Sequence, residues 1–208
     1  MRNVQKDVWD SVARSVNFTL NIDYQEFLNH VPLNSTILDF GCGYGRVTNE
    51  LFNLGYERVV GIDTSFEMIA RGKDNYPHLT LNHYEPPLIP AEDGQYDAIM
   101  CCAVLTCLPN KRTQNLAISE LSRILKKSGI IYFAEFLQTK NRTYGEGGTF
   151  KTSFGVQMKH FRPQELLDLI TQFKTISVKD NFEKSISCLL YTSPSPRDLS
   201  TSRMPSSA

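Results

Sequence analysis

The chain has 208 residues, enough for one domain with a sizeable core, and its 22 basic and 22 acidic side chains cancel. No Arg/Lys run exceeds two residues and no basic stripe is present, which argues against a nucleic-acid surface, and no apolar stretch has the length of a membrane-spanning helix. The start, Met1–Asp7, lacks the hydrophobic region of a signal peptide. The cysteines at 42, 101, 102, 107 and 188 show neither CxxC spacing nor a histidine partner pattern, so a reduced, cytoplasmic protein without a zinc site or disulfide framework is expected.

Val4, Val8, Val12 and Val16 recur four apart and predict an amphipathic helix over 4–16, with Trp9 and Ala13 widening its apolar side. After a polar break at 17–21, Asp23 is placed to cap a second helix, Tyr24–His30, which ends before Pro32. Residues 36–40 then read as a short strand, followed by glycines at 41, 43 and 45 and a helix over 45–54. Such glycines let the backbone turn sharply and approach a ligand without a Cβ in the way. A second strand, 58–62, ends in Asp63, a carboxylate placed to accept the hydroxyls of a ribose. Gly55 stops the first of these helices, and 64–71 predicts the next.

The third short strand is 79–81. Tyr84-Glu-Pro-Pro87 stiffens the loop after it, and the apolar run 95–102, opened by Asp97, predicts a fourth strand buried on both faces. A helix follows over 111–125, with Lys126, Lys127 and Gly129 expected at its C-terminal end, and then a fifth strand over 130–134. Glu135 stands at the carboxyl edge of that strand. The glycine-rich stretch 138–158 predicts a mobile loop or short hairpin, and Pro163 opens a helix containing Leu166, Leu167, Leu169 and Ile170. Lys174–Lys179 and a segment starting at Ser185 predict the last two strands.

The glycine run with Asp39 two residues ahead, DxGxGxG, is not the dinucleotide fingerprint GxGxxG, which would need glycine at Arg46. It resembles motif I of the class I S-adenosylmethionine-dependent methyltransferases. Asp63-x-Ser65-x-x-Met68, the Tyr96-Asp97 start of strand four and Arg123-x-Leu125-Lys126-x-x-Gly129 resemble later motifs of that family, in order over roughly residues 30–187. The resemblance implies a Rossmann-like three-layer α/β/α sandwich. Its mostly parallel sheet has seven strands in the order 3-2-1-4-5-7-6, the last one antiparallel. The family's leading helices cover the cofactor, which makes 1–32 a lid and 33–187 the methyltransferase domain; Trp9 and Tyr24 are then lid aromatics or simple packing residues.

The same resemblance implies S-adenosylmethionine as cofactor. Gly41, Gly43 and Gly45 give backbone access, Asp39 orients the methionyl ammonium, Asp63 binds the ribose and Glu85 lies by the adenine, where the family more often has aspartate. Cys42, Thr64, Met68 and Cys102 complete the expected cofactor wall, and Phe66 and Met68 face the adenine or the core. Cys107 stands where many members carry histidine, and it reads as a pocket-lining or core residue. Glu135, His160, Tyr144 and His83 are the candidate general bases, in falling order. The expected activity is methyl transfer to a small-molecule acceptor. A non-catalytic cofactor-binding module or partner subunit, and a protein or RNA acceptor, are the competing readings.

From Cys188 the composition shifts to Ser, Pro and Thr, and 188–208 resembles a translated transposase-type sequencing adapter followed by a flow-cell primer site. Those residues are expected to be non-native, with disorder after about 193, in a gene of microbial, metagenomic origin. Cys188–Thr192 nevertheless has strand-forming composition, so it can complete the last strand by accident.

Overall fold

A computed structural model describes residues 4–108, 110–181 and 185–192. The expected disorder after 193 lies outside the described residues.

The chain folds as an α/β sandwich around a mostly parallel sheet. In chain order the elements are α1 (Val4–Val12), α2 (Tyr24–His30), β1 (Ile37–Phe40), α3 (Arg46–Asn53), β2 (Val59–Asp63), α4 (Phe66–Asn75), β3 (Thr80–His83) and β4 (Tyr96–Cys102). A 3-10 turn, Leu105–Cys107, leads into α5 (Lys111–Ile124), β5 (Leu125–Phe136), the hairpin β6 (Thr149–Lys151) and β7 (Gln157–Lys159), α6 (Pro163–Leu169), β8 (Phe173–Asn181) and β9 (Ser185–Thr192). The main sheet runs β3-β2-β1-β4-β5-β9-β8; β9 is antiparallel to both of its neighbours, and β6 and β7 form a separate pair. On β5 the pairing of Ile130–Phe133 is to Cys188–Tyr191, so the segment with adapter-like sequence supplies backbone partners to the sheet.

Alternation along the central strands sends successive side chains to opposite faces. Leu38, Ile99, Cys101, Ile131 and Phe133 pack with Ile118 and Leu121 of α5 and Leu166 of α6. Ile37, Ala98, Met100, Tyr132 and Ala134 pack on the other face with Phe27 of α2 and Val47 and Leu51 of α3. Each fully buried large side chain contributes roughly 1.5–3 kcal/mol, so the two-sided core fixes the parallel strands and, with them, the loops at their carboxyl ends. Asp97 pins β4 to β1: it accepts from the Thr36 amide at 2.9 Å and the Thr36 hydroxyl at 2.6 Å, and pairs with Lys126 at 2.7 Å. Against the cost of desolvation, Lys126 and Thr36 hold its pKa down at about 2.

Three local expectations are corrected. The first helix stops at Val12 instead of reaching Val16, because Arg71 of α4 takes the Ala13 and Val16 carbonyls at 2.7 and 2.6 Å. After α5 the left-handed residue is Ser128, φ 60°, and β5 has already begun at Leu125. Gly129 is required for a different reason: a Cβ there would lie 2.8 Å from the Lys126 carbonyl and 3.0 Å from that of Asp97. Phe66 is outside the core; it is 61% exposed at the start of α4.

Candidate cofactor and acceptor site

The carboxyl ends of β1, β2 and β4 open on a cavity of about 650 Å³, within the size range of small-molecule sites. Its floor is the β1–α3 turn. Gly41, Gly43 and Gly45 have φ of 69°, 55° and 81°, a run that only glycine adopts without strain. The turn then starts α3 with no side-chain cap at Gly45. Asp39 reaches from the end of β1 to help hold that helix: its carboxylate accepts from the Thr48 hydroxyl at 2.6 Å and from the Thr48 backbone. Asp39 is 1% exposed, and burial pushes its pKa up to about 7 against those bonds.

Asp63 ends β2 beside the same turn. Its Oδ2 accepts the Gly43 amide at 2.9 Å and its Oδ1 the Ser65 amide at 2.8 Å, so one carboxylate joins the glycine turn to the start of α4. Burial raises its pKa, opposed by those amides. Lone pairs remain on both oxygens for ligand hydroxyls.

The cavity is roofed by the N-terminal segment. Gln5, Lys6 and Trp9 of α1 and Asn17–Leu20 line it. Gln5 donates to the Cys107 carbonyl at 3.0 Å and the Gln157 carbonyl at 2.5 Å, which ties α1 to the turn after β4 and to β7. Asp10 accepts from the Ser65 hydroxyl at 2.5 Å and the Glu67 amide at 3.2 Å at the start of α4. Phe18 stacks on Tyr44 with centroids 5.2 Å apart, and the Arg71 guanidinium lies 3.9 Å from the Tyr44 ring centre. Arg46, which argued against a dinucleotide fingerprint, lines the cavity and links roof to floor. It donates to the Leu20 carbonyl at 2.9 Å and to Glu50 at 2.9 Å, and Glu50 in turn takes the Tyr24 hydroxyl.

A Cβ on Gly43 would lie 2.4 Å from Phe18. Gly43→Ala is therefore expected to cost about 1–2 kcal/mol through the left-handed backbone and to displace Phe18; calorimetric melting with a ligand titration measures both.

Of the sequence-derived cofactor residues, Asp39, Gly41, Cys42, Gly43, Asp63, Thr64, Met68 and Cys102 come together on this cavity wall. Gly45 lies beneath it, with its Cβ position against Leu81. Glu85 is off the wall: its side chain is 63% exposed and pairs with Lys6 at 3.0 Å and His83 at 3.3 Å. The loop around it still contributes Tyr84, Pro86, Pro87 and Ile89 to the lining.

None of the four base candidates lines the cavity. Glu135 is fully buried beneath the turn after β4, where its two oxygens accept the Leu105 and Thr106 amides at 2.8 and 2.9 Å; burial pushes its pKa up to about 8 against those bonds. His160 stacks on Phe136 with centroids 5.4 Å apart, and its Nδ1 lies 3.0 Å from the Tyr144 hydroxyl. That hydroxyl also accepts the Thr139 amide at 3.0 Å, and burial lowers the histidine pKa to about 4. Tyr144 and His160 thus pin the β6–β7 hairpin to the sheet edge. His83 holds the Thr64 carbonyl at 3.1 Å.

Cys107 does line the cavity, where its thiol donates to the Ala103 carbonyl at 3.2 Å and burial pushes its pKa up. Cys107→Ala is expected to leave cofactor affinity within about 2-fold, since one weak hydrogen bond is lost; titration of the variant checks it.

Sequence reasoning missed Phe18, Leu20 and Phe136, which lie in segments read as a polar break and as the end of a strand. A short apolar-polar alternation, Phe18-Thr-Leu20-Asn-Ile22, was the available signal.

Comparison with known proteins places this architecture. Residues 38–133 match the family model described as a methyltransferase domain. YqeM of Bacillus subtilis, a protein named for a methyltransferase, is 31% identical over 128 residues, 53% of this chain and 51% of its own length. The mitochondrial ubiquinone biosynthesis O-methyltransferase of Dictyostelium discoideum is 29% identical over 130 residues, 55% of this chain and 38% of its own. The chain thus spans about half or less of the length of these curated relatives. Among solved structures, a methyltransferase of Methanosarcina mazei superposes with TM-score 0.74 at 22% identity, covering 84% of this chain and 99% of its own. The [4+2]-cyclase SpnF superposes with TM-score 0.62 at 14% identity, covering 77% and 75%. At such identities these structures speak for the fold.

Proposed function

From a chain that carries a class I S-adenosylmethionine-dependent methyltransferase domain, with S-adenosylmethionine as its cofactor, we infer methyl transfer to a small-molecule acceptor. The observation that carries this reading is the pairing of a buried carboxylate, Asp39, and a half-buried one, Asp63, with a glycine turn on one largely apolar cavity. Neither carboxylate has an ion-pair partner among the described residues, so a ligand with both a cation and a diol suits them. When bound, the cofactor supplies an activated, electrophilic methyl group.

The residues then divide the work. Asp39 faces the ammonium end, which favours its ionised form despite burial. Asp63 shares its remaining lone pairs with the ribose while its amide bonds hold the turn in place. Tyr84 and Ile89 flank the base; Glu85 acts on this end through its loop and through Lys6. Trp9, Phe18 and Leu20 exclude water, so that proximity and alignment of the acceptor do most of the catalysis.

In this reading 1–32 forms the lid and 33–187 the catalytic domain of a seven-stranded 3-2-1-4-5-7-6 sheet, and 188–208 is a non-native tail whose first residues complete the antiparallel closing strand. Among the described residues no helix is long and apolar enough to cross a membrane, in keeping with a cytoplasmic enzyme acting on a small molecule. SpnF, a cyclase of like fold, is the reason to keep a second reading in which cofactor is bound without methyl transfer.

Calorimetric titration with S-adenosylhomocysteine, with NAD as control, tests the cofactor site: micromolar binding of the first and none of the second is expected. Binding of NAD alone would overturn the assignment. A radiolabelled methyl-transfer screen over small-molecule acceptors then separates the enzyme from the binding module.

A further inference from the structure

We propose that Glu135 is a positioning residue: it holds the turn 103–107 in a strained form that shapes the amino-acid half of the cofactor site. The inference rests on the cofactor reading above.

Ala103 carries the strain. Its φ is 56°, in the left-handed region where a Cβ crowds the following carbonyl and where alanine has no side-chain bond to offset the cost. Among the described residues the other non-glycine residue with positive φ is Ser128, which is exposed and off the cavity wall. Ala103 lines the cavity, together with Val104, Cys107 and Leu108. Val104 packs directly on the glycine turn: a Cβ on Gly41 would lie 2.5 Å from its Cγ2. Gly41 is two residues beyond Asp39, the partner assigned to the ammonium end of the cofactor. A change of φ at Ala103 redirects the chain that follows and moves Val104 off that turn.

A strained residue persists where its surroundings over-determine it. The Ala103 amide donates to the Ala134 carbonyl at 2.7 Å, and the Cys107 thiol donates to the Ala103 carbonyl at 3.2 Å. Carbonyls further along are held from three sides. Gln114 donates to that of Leu108 at 2.6 Å, Gln5 to that of Cys107 at 3.0 Å, and the Thr106 hydroxyl donates to that of Lys159. The Leu105 and Thr106 amides start the 3-10 turn and have no partner within it. Glu135 takes both, one on each oxygen, at 2.8 and 2.9 Å. It does so at 0% exposure, with no ion-pair partner among the described residues. An apolar side chain at the end of β5 would avoid the cost of burying that carboxylate. What the carboxylate adds is a pair of acceptors matched to two successive amides, which keeps the turn from springing back to negative φ.

A double-mutant cycle tests this on the full chain, with wild type, Glu135→Gln, Ala103→Gly and the double variant. Each is titrated calorimetrically with S-adenosylhomocysteine and with 5′-methylthioadenosine, the same nucleoside without the amino-acid half. Failure of the wild type to bind S-adenosylhomocysteine rejects the cofactor reading, and this inference with it. Glutamine keeps one acceptor oxygen, so one amide loses its partner. Beside Ala103 the turn then relaxes, and a competent fraction of about one tenth lowers S-adenosylhomocysteine affinity by about tenfold. Glycine takes the left-handed φ without strain, so in the Ala103→Gly background the same replacement should cost about threefold or less. Affinity for 5′-methylthioadenosine should change by about twofold or less in either background, because the loss is confined to the amino-acid half. A Glu135→Gln chain that folds only together with Ala103→Gly supports the proposal equally. A loss of the same size in both backgrounds overturns it, since Glu135 would then be an ordinary packing residue. So does a loss shared by the two ligands, no loss at all, or a double variant that fails to fold.

Discussion

Replacing Asp63 with alanine is expected to lower affinity for S-adenosylhomocysteine by about 100-fold or more, on the scale of hydrogen bonds to a charged group. The effect has two sources. In the proposed binding mode the ribose loses its carboxylate partner, and the Gly43 and Ser65 amides lose theirs, at 2.9 and 2.8 Å. Because the first of those amides belongs to the glycine turn and the second to the cap of α4, the floor of the cavity should relax even without ligand. Asp63→Asn is the informative companion, since it retains one acceptor oxygen and should recover part of the turn but little of the diol affinity. Calorimetric titration of both variants, beside their melting temperatures, measures the two contributions separately. Unchanged affinity in Asp63→Ala would remove the ribose assignment.

The second large effect is a stability that falls from about pH 6 to pH 8. Asp39 and Glu135 titrate near 7 and 8 in the folded protein, against ordinary values of 3.8 and 4.5. Between those limits the native state keeps protons that the unfolded chain has released, so unfolding gives up protons and higher pH favours it. A loss of ~2 kcal/mol over this range corresponds to a Tm drop of about 4–8 °C for a chain of this size. Glu135→Gln, which cannot ionise, should show a clearly smaller drop, although its amide group turns one donor toward the Leu105 or Thr106 amide and lowers Tm at every pH. At the acid end Asp97 works in the opposite sense. Its folded pKa of about 2 lies below the ordinary 3.8, so its contribution is lost as pH falls through that interval. Scanning calorimetry of the ligand-free protein across this range gives the curve; a Tm that is flat or rising from pH 6 to pH 8 contradicts the assigned burial of the two acids.

The sheet was legible because its strands are short apolar runs at regular distances, and a parallel strand buried on both faces admits little else. The floor of the cavity was legible because glycine at 41, 43 and 45 and the acids at 39 and 63 are backbone and charge requirements written at fixed spacing. The bases were not. Glu135 stands at the carboxyl edge where ligands bind, yet sequence cannot tell an edge residue that turns toward the cavity from one that turns beneath the next loop. Two backbone amides, from Leu105 and Thr106, decide that question. His160 and Tyr144 are similar, since their partnership depends on how the hairpin folds back. The end of α1 was misplaced because Arg71, 55 residues further along the chain than Val16, overrides a valine spacing that continues to that residue.

Roof and floor also differ optically. Trp9 is the only tryptophan in the chain, and it lies in the roof, 6.1 Å from Phe18 across the cavity lining. The sheet, its helices and the hairpin contain no other indole, so light emitted on excitation at the red edge of protein absorption comes from the roof alone. Its colour and quenching by iodide would follow the docking of the first two dozen residues without interference from the sheet, in a protein that needs no label attached.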